Sequence, residues 1–148
     1  MIATLVAVRG RGLPLPAAAA VFSPWVDLSL AGASVRTKGA QDPVLARDAL
    51  VRRAADYAAD AAVADPGISP LFADLTGLPP LLVQVGSHEI LLDDAVRLAG
   101  RAAPDDVTVT LQVTAGVPHV FRRFGAMLTE ARDALDAAGA FLRSHLRD

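Results

Sequence analysis

The chain has 148 residues, 53% of them hydrophobic, no cysteine and a formal charge of −2. That length holds one domain with a real core, and the apolar content excludes a disordered segment. Mixed charges without a basic stripe exclude the footprint of a nucleic-acid binder, and the lack of cysteine excludes disulfides, a thiol nucleophile and a cysteine zinc site.

Residues Met1–Gly12 (MIATLVAVRGRG) read as the tail of a helix, with Ile2, Leu5 and Val6 apolar and Gly10 and Gly12 closing it. An apolar start without a cap is what truncation would leave; an ordinary short N-terminal helix is the alternative. Residues 17–28 (AAAAVFSPWVDL) form an apolar run bounded by prolines and serines, which suits a buried parallel strand. Asp42-Pro43 predicts the start of a helix, with Asp as N-cap and Pro in the first turn. Leu50, Ala54, Tyr57 and Ala61 form its apolar stripe, and Asp65-Pro66-Gly67 stops it.

Ser69–Phe72 and Gly77–Pro80 are turn material. Leu81–Val85 predicts a second buried strand. Leu92–Ala103 predicts a helix with Asp93 and Asp94 in its first turn, where the helix dipole favours acids. Val107–Val113 is β-branched and alternating, a third strand. Gly125–Leu146 predicts a long helix with Met127, Ala131, Leu135, Ala138 and Leu142 on one face. Helices alternating with strands imply a parallel sheet with crossover helices, an α/β fold. No apolar run approaches the roughly 18 residues of a membrane span, and no charged and then apolar leader opens the chain. The composition suits a reducing cytoplasm and a GC-rich bacterial coding sequence.

In open α/β sheets functional groups lie beyond the carboxyl ends of the strands. Glu89 follows the second strand and His119 follows the third. Adjacent parallel strands would bring the two together as the acid and base of a Ser–His–acid triad, in which a carboxylate orients the imidazole that takes the nucleophile's proton. Asp93 and Asp94 are the alternative acids, although helix-capping acids are their ordinary role. His88 beside Glu89 raises a metal site, but no two histidines sit at i, i+4, so neither metal nor cofactor is expected. Trp25 and Tyr57 read as core or pocket wall. Gly10-Arg11-Gly12 precedes a strand, the wrong order for a phosphate loop.

No Gly-x-Ser-x-Gly elbow and no His-Gly-Gly-Gly-like loop occur in the sequence. Ser34 comes nearest, with Arg36 where the second glycine must be; Ser23 precedes a proline, and Ser87 sits beside the acid. None is expected to be a nucleophile. A receiver-like fold built on Asp93 and Asp94 lacks its other acid and lysine positions.

Arg11-Gly12-Leu13-Pro14-Leu15-Pro16 followed by Phe22-Ser23-Pro24-Trp25-Val26-Asp27-Leu28 resembles the hormone-sensitive-lipase-like esterases, also called the α/β-hydrolase fold-3 group or bacterial family IV. Asp65–Leu71, Leu78–Gly86, Glu89–Asp94 and His119-Val120-Phe121 extend the similarity over nearly the whole chain. The resemblance implies carboxylic-ester hydrolysis through an acyl-serine, with His119 as general base and then general acid. It implies Glu89 as the triad acid, where most members carry Asp, with Asp93 four residues on; Asp93 or Asp94 remain the substitutes.

It further implies a partial α/β-hydrolase domain over residues 1–148, about three parallel strands with flanking helices. Residues 40–65 would be a remnant of the cap that shapes the acyl pocket. The elbow, the oxyanion loop and the first strands would lie upstream of Met1. The expected partners are a small-molecule ester for the complete enzyme, and a homodimer or a missing N-terminal half, without nucleic acid or membrane span. The chain alone is expected to be inactive, and a non-catalytic interaction or dimerisation module is the alternative function.

Overall fold

The computed structural model describes residues 1–146. Three parallel strands form one sheet in the order β1 (Ala19–Phe22), β2 (Leu81–Gly86) and β3 (Val109–Thr114). Ala19 pairs with Leu81, and Leu81 with Val109, so the three carboxyl ends finish at one edge of the sheet. β2 is buried along its whole length, as expected of a central strand covered on both faces.

Its side chains alternate between two layers. Leu81, Val83 and Val85 pack with Ile2 and Leu5 of α1 (Ile2–Gly10) and with Ala95, Leu98 and Ala102 of α4 (Leu92–Ala102). Gln84 points to the other face, where its amide donates to the carbonyl of Ala134 on α5 (Thr129–His145) and to Gln112 of β3, both at 2.8 Å. The buried positions of α5 are Ala131, Ala134 and Ala138. Such small side chains let the helix backbone approach the sheet closely.

Two helices, α2 (Ser34–Thr37) and α3 (Arg47–Ala58), lie between β1 and β2 in the chain, and short 3₁₀ turns occupy Pro70–Phe72 and Phe121–Phe124.

The expected elements are present, but four details differ. The first strand stops at Phe22 because Ser23 takes a left-handed φ of 46° and Pro24 follows. The helix expected at Asp42 begins at Arg47 instead. Asp42 holds a turn, accepting the N–H groups of Val44 and Leu45, and reaches across to accept that of Ile90 at 2.9 Å. The stripe of α3 is Leu50, Ala54 and Ala58, while Tyr57 and Ala61 are exposed. The last helix begins at Thr129, and Met127 and Leu135 point to solvent. In both helices a large apolar side chain lies off the buried face, which is all alanine in α5 and Leu50 with two alanines in α3.

Candidate active site

Gly86 ends β2 directly beneath the loop that follows β3. A Cβ there would stand 2.2 Å from the carbonyl oxygen of Val117, so no other residue fits without moving that loop. The same carbonyl accepts the N–H of His88 at 3.2 Å. Gly116 turns the chain at φ +73°, and its N–H donates to the hydroxyl of Ser87 at 2.9 Å. These contacts carry His119 over the carboxyl end of β2, beside the turn that holds Glu89.

His119 Nδ1 lies 2.7 Å from Glu89 Oε2. Glu89 is fully buried, and the histidine side chain is 16% exposed. Glu89 Oε1 accepts the N–H of Gly86 at 2.6 Å and the hydroxyl of Ser23 at 2.9 Å. A carboxylate satisfied this way accepts at both oxygens, so the imidazole donates from Nδ1. In the neutral ring, Nε2 then carries the lone pair. The extra methylene of glutamate is taken up within this arrangement, since its two oxygens still reach both Gly86 and His119.

Ser23 is saturated. Its hydroxyl accepts the N–H of Val120 at 3.1 Å and Arg122 Nη2 at 2.9 Å. Two donors fill its two lone pairs, so its proton points to Glu89. Arg122 is buried, with its guanidinium carbon 4.7 Å from the Phe22 ring centroid and 4.4 Å from that of Phe121, both within cation–π range. Burial pushes its pKa down to about 10, and the negative charge of Glu89 works against that fall. Neither Ser23 nor Arg122 stands out in the sequence as a partner of Glu89. The signal for Arg122 was a cation between two phenylalanines, three residues past His119.

Asp93 and Asp94 serve other partners. Asp93 accepts the N–H of Ser34 at 2.9 Å, and Ser34 in turn accepts the N–H of Asp93 and donates to the carbonyl of Ile90. Asp94 accepts the N–H groups of Val26 and Asp27 at 2.8 and 3.0 Å. Burial raises the pKa of Asp94 to about 6 despite these two bonds. Burial also pushes Asp27 upward, but bonds from Ser29 and Arg97 outweigh it and leave Asp27 below the usual carboxylate range. The Asp27–Arg97 pair closes at 2.7 Å. The α4 acids therefore fasten the segment after β1.

Among the described residues no group of three or more His, Asp or Glu side chains is arranged to hold a metal, and no helix is long and apolar enough to cross a membrane. His145 lies at the end of α5, its Nδ1 2.9 Å from the carbonyl of Phe141.

A family model described as alpha/beta hydrolase fold matches residues 1–123. A crystal structure titled as an esterase from the bacterial hormone-sensitive lipase family superposes with a TM-score of 0.96 at 43% identity, covering 99% of this chain and 49% of that one. The chain belongs to the hormone-sensitive-lipase-like α/β-hydrolases.

An acetyl-hydrolase of Streptomyces hygroscopicus is 45% identical over 143 residues, 97% of this chain and 48% of that protein. An esterase of Acinetobacter venetianus is 40% identical over 131 residues, 88% of this chain and 43% of that protein. The chain thus spans about half the length of the curated hydrolases it matches.

Proposed function

We propose that this chain carries the acid and base of a carboxylic-ester hydrolase, Glu89 and His119, and that the serine nucleophile and oxyanion donors come from a segment outside these 148 residues. The carrying observation is the 2.7 Å pairing of His119 Nδ1 with a fully buried Glu89. With Nδ1 committed to the carboxylate, Nε2 is the nitrogen that takes the proton of a serine hydroxyl and returns it to the departing alcohol. Glu89 fixes the tautomer and stabilises the imidazolium. The names of the esterase and acetyl-hydrolase relatives support a small ester as substrate.

The missing N-terminal half is the partner this reading calls for. In support, β1 is an edge strand beside a cavity of about 910 Å³ whose lining includes Ile2, Phe22, Trp25 and Tyr57. Arg53, Asp56 and Tyr57 of α3 border that cavity, which supports α3 as the cap remnant that shapes the acyl pocket. An interaction or homodimer reading finds its support in the other edge strand, β3, where Val113 is exposed. The cysteine-free composition supports a cytoplasmic setting.

The test fuses the unmatched half of the Streptomyces acetyl-hydrolase ahead of Met1 and follows short-chain p-nitrophenyl esters. We expect burst release from the fusion and none from the 148-residue chain alone. His119→Ala and Glu89→Gln should each suppress it. Hydrolysis that survives His119→Ala would sink the assignment.

A further inference from the structure

Arg122 is a buried cation that no carboxylate of the described residues touches. Its Nη2 donates to Ser23, while Nε and Nη1 have no partner among the described residues. Burying a charge in this way is costly, and a neutral side chain of similar size would fill the space between Phe22 and Phe121 at less cost. The charge itself therefore needs a reason, and the hydrogen bonds supply one. Arg122 donates to Ser23, Ser23 donates to Glu89, and Glu89 accepts from His119.

We propose that Arg122, acting through Ser23, is a positioning residue that balances the charge of Glu89 and so keeps His119 neutral and able to accept a proton. The inference rests on the reading of Glu89 and His119 given above. With Arg122 present, the buried cluster is neutral when His119 is neutral. Without it the cluster carries one uncompensated negative charge, and proton uptake by His119 would cancel that charge. His119 would then hold a proton more tightly and be less available as a base. Ser23 passes the effect on in two ways. It anchors Arg122, and its donated hydrogen bond disperses the carboxylate charge.

Few other groups compete for control of His119. The turn after β2 supplies Glu89 and the half-buried His88. The 3₁₀ turn supplies Arg122 and Arg123, the latter exposed. The packed face of α5 is alanine, and the segment after β1 contributes Ser23.

The test is an NMR titration of the His119 ring in the full 148-residue chain, with His88 and His145 assigned separately. Arg122→Met is expected to raise the His119 midpoint by about one pH unit, the order of effect expected on losing a buried cation linked to it through Ser23 and Glu89. Arg122→Lys is expected to restore most of that change, and Ser23→Ala to move the midpoint the same way by less. An unchanged midpoint in a folded Arg122→Met variant would overturn the inference. If that variant fails to fold, ring nitrogen shifts of the wild-type chain at pH 7.5 decide. The neutral Nδ1–H tautomer supports charge balance, and a doubly protonated ring overturns it. A fusion that hydrolyses no ester while the midpoint still shifts sinks the catalytic reading alone. An active fusion with an unmoved midpoint sinks this inference alone.

Discussion

The N–H of Val120 donates to the hydroxyl of Ser23 at 3.1 Å, and both residues occupy the left-handed region at φ 46°. Neither is glycine, and Val120 is β-branched, so each conformation costs on the order of 1 kcal/mol or more. The two strained residues lie 97 positions apart in the chain and flank the Glu89–His119 pair. Their mutual bond holds the segment after β1 against the segment after β3. Ser23→Ala removes one hydrogen bond to Glu89 and strands the N–H of Val120 and Nη2 of Arg122 inside the protein. Stranded buried donors cost about 1–3 kcal/mol. A fall of that size in urea-unfolding stability is expected; a change of a few tenths would show that water reaches these donors.

Gly86 is the site's steric hinge. A methyl group there would meet the Val117 carbonyl at 2.2 Å, and the clash is with backbone, which has no rotamer to yield. Gly86→Ala should displace the Gly116–His119 loop and cost about 2 kcal/mol or more. Two readouts check this: a lowered melting temperature, and loss of the downfield Nδ1–H proton resonance that marks the bond to Glu89. Retention of that resonance would show that the loop shifts without releasing His119.

Much of this arrangement was legible in the residues. The apolar runs at Leu81–Val85 and Val107–Val113 gave strands in the right order, and the carboxyl-end rule placed Glu89 and His119 at one edge of the sheet. What stayed hidden depends on contacts distant in sequence. Asp42 looks like a helix cap, and nothing local tells that its second oxygen is taken by Ile90, 48 residues away. The stripe of α3 was drawn through Tyr57 because a large aromatic outweighs alanine in any apolar pattern. The fold instead buries Ala58 and leaves Tyr57 facing the cavity beside β1. Ser23 and Arg122 were invisible as site residues because each acts through a network that closes only in three dimensions.

Glu89→Gln isolates the carboxylate. The amide can still accept at one atom, but its NH₂ cannot, and the charge that would stabilise the imidazolium is lost. In the active fusion kcat should fall by about 10⁴-fold, the size of effect seen when a triad acid becomes an amide. Glu89→Asp keeps the charge but shortens the reach to either Gly86 or His119, so an intermediate loss is expected. Steady-state kinetics with one ester compare the three proteins. Equal rates for the Gln variant and the parent would remove Glu89 from the mechanism.

Asp94 makes a prediction about pH. Burial raises its folded-state pKa to about 6, above the ordinary value of 3.8, even though it accepts two N–H groups from the segment that carries Trp25 and Asp27. Its Oδ1 has no partner among the described residues. The sign follows from proton counting. Between about pH 4 and 6 the folded state holds a proton that the unfolded chain has released, so stability falls as pH rises through this window and stays lower above it. Asp94→Asn keeps an acceptor for the two N–H groups and carries no charge at any pH. Its stability relative to the parent should therefore climb between about pH 4 and 6 and then level off, with a total change of order 3 kcal/mol. The difference between the two urea-unfolding curves cancels the titrating groups that do not interact with Asp94, so it reports Asp94 together with its coupling to Asp27 and Arg97. Parallel curves across that window would show that Asp94 is ionised at no cost, held by the N–H groups of Val26 and Asp27.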